Sequence, residues 1–458
     1  NQGIKPTGQV LSDVYRGPVM RIHGWEIEGP LFKSWPPASH KSIFGQEIDP
    51  AKVNIAKTLS AFASKAFRQP MSEKDVSHYT AYVNKRLGLG DSRAVALKHG
   101  LKAILTSPNF LFIEEGSGGL LNQFQLATRL SFFLWSSQPD QQLTQLAAAG
   151  KLNEATIRQQ VKRMLADPKS ASFSKHFTDS WLRLNTLGSM PPSSKFKSYY
   201  SDRLETAMRQ ETLLFFNHIL HNNINIVDML DSNYTFINDE LADHYQISGI
   251  AGEHFRKINL PANSRRGGLL GQASILTLTS NGIETSPVIR GIWILENILG
   301  TPPSPPPPDV EPLEPDARGS TTIREQLEKH RSVEACAECH KKMDPLGFAL
   351  ENYDPVGVYR QSYPRVRGQK NRTVDASGKL PNGDNFTDAQ GLKKILVDRK
   401  DQFTKALTEK LLIYATGRKM TFKDHKNIEH IVEEVIEKGY GLRDMVTEVA
   451  ISEVFANK

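Results

Sequence analysis

The run Cys336-Ala337-Glu338-Cys339-His340 holds the residue types best suited to chemistry in this chain. Two thiols separated by two residues lie about one helical turn apart, and the imidazole that follows stands beside them. That set is the attachment pattern of a c-type haem. The thiols add across the two vinyl groups of the porphyrin, and the imidazole of His340 binds the iron from one side. Cys336 and Cys339 are the only cysteines among 458 residues, so cysteine has no general structural use here. Two other uses of the same residues fit less well. A thioredoxin-like disulfide wants a strand before the motif and a helix opening at it, whereas the preceding segment, 322–331, reads as a charged helix. A zinc site needs further ligands, usually a second Cys/His pair, and no obvious pair follows.

Around the motif the residue types suggest supporting roles. The second ring nitrogen of His340 is expected to donate to a carbonyl or carboxylate, and Asp344-Pro345 is near enough to supply one or to stiffen the turn. Met343 falls on the same helical face as His340, hence on the same side of a porphyrin, and is expected to pack against the ring rather than ligate iron. A distal ligand must come from elsewhere: His244 and Met190 are the leading candidates, His330 and Met420 the others. An iron with no distal protein ligand is the further option, and it is what peroxide or small-molecule chemistry requires. Arg266, Arg290, Arg360 and Arg418 are candidates to pair with haem propionates, since guanidinium binds carboxylate bidentately. An ordinary Arg–Asp/Glu bridge explains each of them equally well. Glu211 interrupts the apolar stripe of Leu204, Met208, Phe215 and Ile219, so it needs an internal partner or a cavity; it is read as the partner of one of those arginines, with a haem-pocket acid as the alternative. The segment 375–384 has the acidic, turn-rich look of a calcium loop, but a simple hairpin is the better reading.

The elements that position these residues read as mainly helical. Apolar residues recur with a 3.6-residue period over 55–67, 93–105, 121–135, 153–165, 172–187 and 196–220, with a helix start at 72–75. Ser286-Pro287 offers an N-cap hydroxyl followed by proline at the first helical position, opening a helix that runs to Gly300. Prolines over 302–308 form a stiff strap. Alternation over 8–30 reads as strand, and the turns at Ser377-Gly378 and Asn382-Gly383 mark a small hairpin within 358–386. The expected organisation is a β-containing segment over 1–50, helical domains over 51–118, 119–230 and 231–310, a haem segment over 311–370, and a hairpin with terminal helices over 371–458.

The composition is that of an ordinary globular protein, with 39% hydrophobic and 23% charged residues. No stretch approaches the roughly 18 apolar residues of a membrane span. The net charge of +7 is modest, and no Lys/Arg cluster with interleaved aromatics suggests nucleic acid, although a basic bias suits an acidic redox partner. The chain opens at Asn1-Gln2 without methionine or leader. Because haem c is attached outside the cytoplasm, a mature or trimmed piece of an exported, periplasmic or extracellular protein is expected.

Further strings complete a recognisable pattern: Glu28-Gly29-Pro30-Leu31, Trp35-Pro36-Pro37, Ala66-Phe67-Arg68-Gln69-Pro70 and Leu126 through Trp135. Arg266-Gly267-Gly268-Leu269-Leu270, Thr279-Ser280-Asn281-Gly282, Thr285 through Gly291, and Gly300-Thr301-Pro302-Pro303 follow. Most specific is the motif continued through Met343-Asp344-Pro345-Leu346-Gly347-Phe348-Ala349-Leu350-Glu351-Asn352, with Tyr414-Ala415-Thr416-Gly417-Arg418 near the end. The chain resembles the planctomycete-type cytochrome c proteins, built from several consecutive domains of unknown function. The resemblance implies one covalent haem c, and it favours His244, whose surroundings match a family string, over Met420, where the family pattern is departed from. Upstream domains are common in such relatives. The first reading of function is an exported electron carrier working with a redox partner protein. The alternatives are a peroxidase-like haem oxidoreductase and a haem-stapled structural subunit of a larger complex. No distal His-Arg pair at a recognisable spacing favours the oxidoreductase.

Overall fold

The computed structural model describes residues 23–29, 31, 34–45, 49, 51–113, 118–189, 192–196, 200–304, 322–330, 334–364 and 372–458; of 329, 330 and 334–336 it describes the backbone only. These residues are mainly helical, with two antiparallel sheets of two strands each. The chain divides into two compact units, residues 1–66 with 71–107, and residues 67–70 with 108–458.

In the first unit, helices Ile55–Ala66, Ser77–Gly88 and Arg93–Leu105 bury Leu59, Ala63, Val83, Ala96, Leu97 and Ile104 between them. Ser92 caps the third, its hydroxyl accepting from the Val95 amide. The start expected at 72–75 is instead a turn closed by Ser72 and Asp75, whose side chains bond each other's amides, and the helix begins at Ser77. The expected N-terminal strand falls mostly outside the described residues, and 23–29 has no regular secondary structure.

In the second unit, helix Gln123–Trp135 starts on reciprocal bonds between Asn122 and Gln125. It is buried over most of its length, Thr128, Arg129 and Ser131 included, which marks a central position. Its Phe133 meets Phe173 at 5.3 Å and Phe455 at 5.7 Å between ring centroids, in a core that also takes in Phe177, Trp181, Phe216 and Tyr414. Helix Asp202–His221 begins later than its periodicity suggests, because the Ser201 hydroxyl caps it by accepting from the Leu204 amide. Its first half builds a smaller core with Ile237, Leu241 and Tyr245.

Strands Gly378–Lys379 and Asn385–Phe386 form the expected hairpin. The pair Tyr234–Ile237 and Arg256–Asn259 was not legible beforehand. Four residues carry too short an alternation to be read, and they pair across an intervening helix, Asp239–Tyr245. The described part of the proline strap, 302–304, has no regular structure, and the rest of it lies outside the described residues.

The haem motif lies on helix Glu334–Phe348, which packs closely on helix Pro287–Asn297. Ser286 caps the latter, with Pro287 in its first turn, as the sequence suggests. The crossing depends on glycine. A β-carbon at Gly291 would lie 1.9 Å from the Met343 carbonyl oxygen, and one at Gly347 would lie 1.7 Å from that of Pro287. Neither backbone has room for any side chain, so each helix contributes one glycine where the other crosses it.

Candidate functional site

Helix Glu334–Phe348 carries Cys336, Cys339 and His340 at spacings of three and one, within little more than one turn. Cys339 has a free, partly buried thiol that packs beside the main core. His340 is buried, and its Nδ1 lies 2.9 Å from Oδ1 of Asp344, one turn further along and fully buried. A carboxylate oxygen is the acceptor of this bond, so Nδ1 donates and Nε2 is the nitrogen suited to a metal. The expectation left open a carbonyl or a carboxylate for this nitrogen; the Asp344 side chain is the partner. Among the described residues, no three or more His, Cys, Asp or Glu side chains converge into a metal cage. One oriented imidazole, with Cys339 beside it in sequence and Cys336 one turn earlier on the same helix, suits a group that brings its own equatorial ligands, and porphyrin iron is such a group.

Met343 is buried in the main core where the two helices cross. His244, at the end of helix Asp239–Tyr245, has Nε2 2.7 Å from the Val356 carbonyl oxygen, so this nitrogen carries the proton and donates. Burial first, and then the nearby Arg266 charge, push the imidazole down to about 4, so it is neutral near pH 7. Met420 packs at the edge of the main core. The side chain of His330 and the whole of Met190 lie outside what is described.

The arginines have defined partners. Arg290 is fully buried and donates to the carbonyls of Leu350, Tyr353, Asp354 and Leu276. Burial pushes its guanidinium down to about 10. Arg266 donates to the carbonyls of Gly271 and Gly357 and stacks 3.5 Å from the Tyr245 ring centroid. Arg360 meets Glu351 at 2.6 Å, and Thr285 bonds the same carboxylate oxygen. Arg418 makes a two-pronged bridge to Asp424.

His244, Arg266, Arg290 and Arg360 thus share a target, the turn-rich segment 350–360 that follows the motif helix. Asp354 shapes that segment by accepting from the amides of Val356 and Val358. For His244, Arg266 and Arg290 the sequence marks the side chain but not its target, because a backbone carbonyl has no residue signature; Arg360 makes the ordinary Arg–Glu bridge.

Glu211 accepts from the hydroxyls of Thr235 and Tyr245, both at 2.5 Å, and burial pushes its carboxyl up to about 7. In 375–384, Asp375 accepts from Ser377 and pairs with Arg324, while Asp384 pairs with Arg399. These carboxylates close a hairpin and bind cationic side chains. A cavity of about 590 Å³ lies beside Phe196, Gln326, Arg360, Tyr363 and Arg372; Cys339 and His340 are not among its lining residues.

Four family models match consecutive parts of the chain, each described as a protein of unknown function: DUF1595 at 54–115, DUF1592 at 121–247, DUF1588 at 266–363 and DUF1585 at 382–455. The haem motif falls within the third, whose short name is PSCyt3. No curated protein and no solved structure matches the chain.

Proposed function

From a chain that belongs, by these four consecutive domains, to the planctomycete-type cytochrome c family, we propose a monohaem c-type cytochrome that transfers electrons. The observation that carries this reading is the His340–Asp344 pair on the helix that also bears the cysteines. Cys336 and Cys339 would hold the cofactor covalently, and His340 would bind it through Nε2. Bound there, haem supplies reversible one-electron exchange. Asp344 fixes the ring's tautomer and orientation, so Nε2 stays aimed without reorganisation between redox states. The glycine crossing fixes the helix that carries all four residues, and the Arg290 clasp holds the chain where it leaves that helix. Electron transfer needs this kind of rigidity, because every movement of the ligand set adds to the barrier.

Export of the chain, which haem c attachment calls for, and a separate redox partner protein, which electron transfer calls for, belong to the same proposal. Among the described residues no helix is long and apolar enough to cross a membrane. The reading is tested on protein produced with a haem-attachment system. Its intact mass should exceed the polypeptide by one haem, and Cys336→Ala with Cys339→Ala should abolish the gain. A wild-type mass equal to the bare chain would reject it.

A further inference from the structure

We propose that Asp344, acting through His340 as a positioning residue, makes the iron site a low-potential one; the inference rests on the haem reading above. The 2.9 Å bond joins Nδ1 to a carboxylate rather than to a backbone carbonyl. A carboxylate is the stronger acceptor, because it bears the charge that the N–H dipole points at. Asp344 is fully buried and His340 is 7% exposed, so water does not screen the bond. A strong acceptor on Nδ1 pushes electron density through the ring to Nε2, and a more electron-rich ligand stabilises the oxidised metal.

The geometry gives this push little freedom to relax. Both residues stand one turn apart on a single helix, so the backbone already holds the pair together. At Gly291 and Gly347 that helix packs backbone to backbone on its neighbour. Asp344 therefore tunes the electron density at the site without touching the iron. A chain with such a site gives up its electron readily, and it works as a donor to partners of higher potential.

The experiment compares equilibrium reduction potentials of the full haem-loaded chain and its Asp344→Asn variant, each confirmed by mass to carry one haem. Asparagine keeps the shape and still offers an oxygen to Nδ1, but it removes the charge. The variant should be at least tenfold easier to reduce at equilibrium, a positive shift of roughly 59 mV or more for one electron. Asp344→Glu, which keeps the charge on a longer arm, should shift it less. An unchanged potential in a haem-loaded Asp344→Asn overturns the proposal and leaves the haem reading intact. If that variant loses its haem, the iron–imidazole stretching band of the reduced wild type decides, recorded on the five-coordinate iron left just after photolysis of its carbon monoxide adduct. A frequency raised above that of carbonyl-paired imidazoles supports the proposal, and one equal to theirs overturns it. A wild-type chain without covalent haem overturns both readings at once.

Discussion

Met343 and His340 sit three residues apart, yet only the imidazole is paired with a carboxylate; the methionine lies in the main core. Met343→Ala should lower stability by about 2–5 kcal/mol, the usual cost of a methionine-sized cavity. The haem absorption bands should keep their positions, since iron loses no ligand. Denaturant titration and a visible spectrum of the same sample check both halves.

Glu211 and His244 make an opposed pair in their response to pH. The folded value of Glu211, about 7, lies above its ordinary 4.5, so the native chain binds this proton more tightly than the unfolded one. The stability that gives is complete below about 4.5 and is lost as pH rises through about 7. His244 falls to about 4 from 6.5, so its contribution is present above 6.5 and lost as pH falls through about 4. The two slopes partly cancel between pH 4.5 and 6.5. Glu211→Gln should expose a stability that climbs with pH there, and His244→Gln one that declines, as read from urea midpoints across the range. Parallel slopes in the two variants would contradict the assignment.

At the scale of elements, the crossing of helices Pro287–Asn297 and Glu334–Phe348 rests on backbone contact. Gly291→Ala or Gly347→Ala should cost about 1–3 kcal/mol or more, because a methyl group meets a carbonyl oxygen that cannot move away. Gly88→Ala is the control. It ends helix Ser77–Gly88 in open space and should be neutral or slightly stabilising in thermal unfolding. The Arg290 clasp is as localised. Arg290→Met keeps much of the volume but strips donors from four buried carbonyls, for an expected loss of roughly 3–5 kcal/mol. These elements show what can be read beforehand and what cannot. The cap at Ser286 and the hairpin at 378–386 were legible because capping and turn chemistry are local. The sheet of Tyr234–Ile237 with Arg256–Asn259 was not, because strands of four residues become strands only on pairing.

For the whole molecule, the net charge of +7 predicts electrostatic docking. Electron exchange with an acidic partner cytochrome should slow as salt rises from about 10 mM to 0.5 M, whereas a basic partner should show the opposite trend. Stopped-flow rates at several ionic strengths decide between them. The mainly helical class, the attachment motif and the likeness to the planctomycete-type cytochrome c proteins were all present in the sequence, because they rest on periodicity and on fixed short spacings. The roles of Arg266, Arg290 and His244 were not. Each is a buried polar side chain whose partner is a carbonyl distant along the chain, and burial forces that pairing without leaving a pattern in the residues. The same holds for Asp344. Its place one turn after His340 was visible, but only the packed helix decides that its carboxylate, and not a backbone carbonyl, meets the ring, and that water is kept away from the bond between them.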